Sequence, residues 1–215
     1  VETLEKALKN NKLPPADQLS ALKRGVFISI KNLESPTRAL SLLKTFQVNS
    51  SQWTKSPMLG QWISYLKNLP SAQLNRENIK KQYLNQLKNR TQKHFVSTVH
   101  ESMSLHKYLS LEVNSQWRAK TYFRLGEIYR QNPDLGFWEL PDTYFETCIQ
   151  ELPHSKIALK CYYSPKKMLT KDSIGINSRT LKNRDRRRLK HLKYLAKPSK
   201  QNSSHGSSGM GSDEW

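Results

Sequence analysis

The densest chemistry in the chain lies near its end, in Arg184-Asp-Arg-Arg-Arg-Leu-Lys-His-Leu-Lys193, ten residues with six Arg or Lys and one Asp. Guanidinium and ammonium groups at this density bond carboxylates or phosphates, and Arg can do so with two parallel bonds. Residues 166–200 hold thirteen Lys and Arg against two Asp, more than half of the formal net charge of +19. The partner this predicts is anionic: nucleic acid, acidic lipid headgroups, or an acidic protein surface. A short amphipathic helix over 185–196 puts Leu189, Leu192 and Ala196 on one side. The partner-binding residues expected are therefore Arg184, Arg186, Arg187, Arg188, Lys190 and Lys193, with Leu189 and Leu192 as an apolar stripe.

Other reactive side chains form no catalytic pattern. His94, His100 and His106 are six residues apart, a step of about 240° on a helix, so their rings are expected to point three ways as solvated or partner-facing groups. "HESMSLH" lacks the four-residue His spacing of a zinc protease helix. Glu127, Glu139, Asp142 and Glu146 fit a solvated acidic rim. There is no Gly-rich phosphate loop, nucleophile elbow or Cys-x-x-Cys pair. No enzyme activity, cofactor or metal is expected.

Cys148 and Cys161 lie equally far from a turn centred on 154–155, so the two thiols of a helical hairpin would face each other across it. A disulfide is then geometrically possible and would point to an oxidising compartment such as a bacterial envelope. Two small, reduced, buried residues at a tight helix contact fit the same spacing.

The elements that must position these groups are helices. Hydrophobic residues make up 36% of the chain, and only eight residues are glycine. Caps and periodicity predict helices over 2–8, 16–33, 36–46 after Ser35, 58–69 after Ser56-Pro57, a stretch capped by Asn75, one containing Phe95, Val96, Val99 and Met103, and 115–130 after Asn114. A pair over 140–152 and 155–163 follows, with Pro153 at its turn. Residues 166–183 read as a basic extended connector. The expected organisation is a helical-hairpin domain over 1–164, a basic arm with a short amphipathic helix over 165–198, and a disordered Ser/Gly-rich tail over 199–215. No apolar run is long enough for a transmembrane span.

One position carries an apparent penalty. Gly126 sits mid-helix in "TYFRLGEIYR", where it costs about 1 kcal/mol relative to Ala. A missing side chain lets another helix come close. Tyr122, Leu125, Gly126 and Tyr129, followed by Phe145, Cys148 and Pro153, have the order and spacing of one tetratricopeptide repeat with an enlarged loop, "NPDLGFWEL". Residues 119–153 thus resemble that repeat, which implies an all-α array of antiparallel helical hairpins, a TPR-like α-solenoid with a basic C-terminal extension. Within the loop, Phe137 and Trp138 are expected to plug the end of the core. "YFETCIQELPHSKIALKCYY" is similar to the end segments of small helical-repeat lipoproteins of bacterial envelopes.

The expected function is a non-enzymatic scaffold or adaptor in a multi-subunit protein assembly, located in the periplasm or cell envelope, its basic arm contacting an acidic partner surface. The alternative is a nucleic-acid-associated, ribonucleoprotein-type structural protein of the cytoplasm that binds phosphates through the same arm. Peripheral contact with anionic lipid through the short helix is a third expectation.

Overall fold

The computed structural model describes residues 14–32, 34–69, 94–112, 114–172 and 183–198, with backbone alone at 51, 165–172 and 183–186. The described residues hold eight α-helices and no strand. They are α1 (Pro15–Phe27), α2 (Pro36–Asn49), α3 (Pro57–Lys67), α4 (Phe95–Leu111), α5 (Ser115–Arg130), α6 (Leu140–Glu151), α7 (Lys156–Asp172) and α8 (Asn183–Ala196). The all-α class is therefore as the composition implies. The helix expected over 2–8 and the stretch capped by Asn75 lie outside the described residues.

The chain forms two units, residues 1–112 with 128–138, and residues 113–127 with 139–215. In the first, α1 packs on α2, α2 on α3 and α3 on α4. Helix starts follow the expected chemistry. Proline opens α1, α2 and α3 at the first helical position, where its missing N–H breaks no bond. Ser35 accepts from the Arg38 amide at 3.3 Å and so caps α2. Leu22, Val26, Ile30, Leu43, Phe46, Leu59, Trp62, Val96, Leu105 and Tyr108 fill the core.

α1 ends in a π-helical turn over Ile28–Asn32, which carries the Lys31 ammonium over the rings of Phe27 and Tyr129. Tyr129 also bonds Ser102 Oγ at 3.1 Å. The loop after α5 is tied down by Lys23, whose ammonium meets the Asp134 carboxylate at 2.6 Å. Its residues divide. Leu135 is buried and Phe137 leans on Phe27 with centroids 5.3 Å apart, whereas Trp138 is 70% exposed. Phe137 and Trp138, expected to plug the core, are thus both exposed, and Leu135 is the loop residue that is buried.

In the second unit α6 and α7 pack on each other across the connection 152–155, and α8 lies against both. Ala119, Phe145, Cys148, Ile149, Ala158, Cys161, Tyr162, Leu192 and Ala196 form its core. Cys148 and Cys161 are joined as a disulfide with Cα atoms 6.3 Å apart. Gly126 faces the Phe145 ring so closely that a Cβ there would lie 2.7 Å from Cε1. Arg118 ties α5 to the end of α6 through Glu151 at 2.9 Å.

One expectation changes here. α7 does not stop at Tyr163 but continues through Pro165 to Asp172, so residues 166–172 are helical rather than an extended connector. Tyr129 packs on Phe27 and Phe137. Pro153 is exposed at the turn.

Candidate functional site

The basic segment 183–196 is a helix fastened to the second unit by three kinds of contact. Apolar burial is the first: Leu192 is 4% exposed and Ala196 fully buried, with Leu195 packed beside them. An ion pair is the second, Arg188 to Glu146 of α6 at 2.6 Å. The third is at the C-terminal end, where carbonyls lack intrahelical donors. The His154 amide donates to the Leu195 carbonyl at 2.6 Å, and His154 Nδ1 lies 2.8 Å from the Lys197 carbonyl oxygen. A carbonyl only accepts, so Nδ1 carries the proton in that bond. His154 reaches both partners from a left-handed turn conformation, φ 59°.

This arrangement sorts the residues expected to bind a partner. Arg187, Lys190 and Lys193 are exposed. Arg188 is exposed but shared with Glu146. Leu189 is half-buried and Leu192 buried, so the apolar stripe serves this chain's own core instead of a partner. The side chains of Arg184 and Arg186 lie outside the described residues. Sequence reasoning passed over three neighbours: His191 and Lys197, both exposed, and Tyr194, 65% exposed with its ring edge-on to His154 at 5.6 Å. Their signal was available, since Tyr194 follows Lys190 by one helical turn.

Of the expected acidic rim, Glu146 is engaged by Arg188. Asp142 stands one turn before it, and partial burial followed by the Glu146 charge raises its pKa, with Arg188 opposing. The result is an electrostatic cradle for α8.

No protein-family model, curated protein or solved structure matches the chain.

The histidines contradict the expectation of three solvated directions. His94 is the N-cap of α4, its Nδ1 accepting from the Ser97 amide at 3.3 Å, so the helical wheel does not fix its ring. It meets the Tyr65 ring at 4.9 Å, and His100 Nδ1 lies 3.1 Å from the Tyr65 hydroxyl. Burial, then the Glu101 charge, push Tyr65 up to about 12. His106 is half-buried, and burial followed by the Lys31 charge lowers it to about 4. Among the described residues no three His, Cys, Asp or Glu side chains group as metal ligands.

The three imidazoles have a measurable consequence. Burial lowers all of them, helped at His100 by the Lys107 charge. Folded imidazoles then hold fewer protons than unfolded ones, and stability falls as pH drops from about 6.5 toward 4. Discounted for partial exposure, His106 alone should account for about 1 kcal/mol. Urea unfolding of the first unit at pH 7 and 4.5 should show a smaller acid loss in His106→Gln than in the native chain. Equal losses would remove the assignment.

Proposed function

We propose that the chain is a non-enzymatic scaffold, a TPR-like array of helical hairpins that docks within a larger assembly and offers the outer face of α8 to an acidic partner protein. The observation that carries this reading is the docked state of α8. A free basic tail would lose much conformational entropy on binding. Here Leu192, the Arg188–Glu146 pair and the His154 cap hold the helix while Arg187, Lys190 and Lys193 face solvent. The close seat of Gly126 on Phe145 supports the repeat-like packing. The disulfide supports an oxidising compartment, the periplasm or cell envelope.

The same facts disfavour the membrane alternative in its inserted form. No helix among the described residues is long and apolar enough to cross a bilayer, and the apolar side of α8 is already occupied by core.

Deleting residues 179–197 would be a poor test, because it would uncover the core around Leu192. Reversing the exposed charges is cleaner: Arg187→Glu, Lys190→Glu and Lys193→Glu together. The triple variant should lose about tenfold or more in affinity for poly-glutamate, with the native affinity declining steeply as salt rises. Tight binding of a single-stranded oligonucleotide at physiological salt, abolished by the same substitutions, would instead establish the ribonucleoprotein alternative.

A further inference from the structure

We infer that the outer face of α8 is a seam for one acidic helix of the partner, an assignment that rests on the scaffold reading of the same face. Arg187, Lys190 and Tyr194 are all exposed and follow one another on α8 by three and four residues, and the exposed Lys197 lies just past the helix end at Ala196. That alternation is how side chains line up where two helices run side by side. The three helical positions extend over about 10 Å of helix axis, nearly two turns. Lys193 and His191, both exposed, flank it on either side.

Tyr194 distinguishes a seam from a diffuse cationic patch. It stands within the row, 65% exposed, with its ring set at 88° to that of His154. A large ring steadied from one side is the kind of group that anchors a helix interface, since little freedom remains to be lost. Cations on both sides of it select a partner whose carboxylates recur at three- and four-residue steps, with a small side chain opposite the ring. The Arg188–Glu146 pair already shows α8 meeting a helix this way, basic side chain to acidic side chain.

Two other anionic occupants fit less well. A bilayer would take the apolar stripe of α8, but Leu192 and Ala196 are buried in the core. Nucleic acid belongs mainly to reducing compartments, whereas this unit carries a disulfide.

The test uses the full chain and four probes. The first is a helical peptide with Glu at alternating three- and four-residue steps on one face. The second has the same composition with Glu spread around the helix. The others are a single-stranded oligonucleotide and vesicles of anionic phospholipid. The striped peptide should bind about tenfold more tightly than the permuted one. Tyr194→Ala should erase that preference. Lys190→Glu with Lys197→Glu should lose the striped peptide and gain one striped with Lys; both positions are exposed, and near-UV circular dichroism checks that the fold is kept. Equal affinity for the two peptides would overturn the seam while leaving an acidic-partner scaffold standing. Preference for the oligonucleotide or the vesicles would overturn the seam and replace the protein partner. Failure to bind any of the four would overturn the seam and the scaffold reading together.

Discussion

Replacing Cys148 and Cys161 with Ala should lower the stability of the second unit by about 3 kcal/mol, the cost of releasing a cross-link that closes a loop of this length. The two sulfurs are separated by 13 positions in sequence, so the unfolded chain regains a modest but definite freedom when the bond is lost. Packing adds to the effect, since both side chains are fully buried beside Phe145, Ala158 and Leu192. Urea unfolding followed in the native chain and the double variant gives the number, and reduction of the native chain should reproduce its direction. Material from the native compartment, denatured without reductant, should show no titratable thiol. Two free thiols there would sink the oxidising-compartment argument, and an unchanged unfolding midpoint would show that the bond contributes little. α8 rests on both helices that the bond joins, so the variant should also lose affinity for acidic partners, even though no cation has been touched.

Local signals in the sequence reported local structure well. The helix starts at Pro36, Pro57 and Ser115 were legible because Ser35, Asn114 and the two prolines fix the first turn by their own chemistry, although Ser56 makes no side-chain cap bond. Asn114 does accept from the amides of Gln116 and Trp117, at 3.0 and 3.2 Å. That Cys148 and Cys161 face each other was legible as geometry, because a turn between two helices determines which positions face; the bond itself was not, since two reduced thiols fit the same spacing. What the stripe of Leu189, Leu192 and Ala196 would meet was not legible. Amphipathic spacing shows that a helix needs an apolar neighbour, but the same spacing serves a partner protein, a bilayer or the chain's own core. The structure gives it the core formed with Phe145, Cys148 and Cys161. The candidate site shifted accordingly, from a basic arm with an apolar stripe for a partner to one outward face that includes Tyr194. His94 failed for a different reason. Wheel arithmetic applies to helical residues, and a cap with φ −78° and ψ 161° is not one.

The second large effect is expected at Gly126, where two opposing terms must be weighed. Any helix-forming residue there gains about 1 kcal/mol of propensity over glycine. Against this, a Cβ would approach three Phe145 ring atoms at 2.7, 2.8 and 2.9 Å. The ring cannot swing aside cheaply, because Phe145 is fully buried within the disulfide-bonded pair of helices. Forcing methylenes into such a core costs about 1–3 kcal/mol, and more for a bulky side chain. Gly126→Ala should therefore destabilise slightly, and Gly126→Leu by about 3 kcal/mol. Gly60 is the internal control. It is an exposed glycine in α3 with nothing within 4 Å of its Cβ position, so Gly60→Ala should stabilise by up to about 1 kcal/mol. Opposite signs at two helix glycines would isolate the close approach from propensity. Combining Gly126→Ala with Phe145→Leu should recover part of the loss, because a smaller, branched side chain vacates the ring's volume. Strict additivity in that cycle, or a Gly126→Leu variant as stable as the native chain, would show that the glycine does not set the packing of α5 on Phe145. The repeat-like interpretation of residues 119–153 would then lose its structural basis.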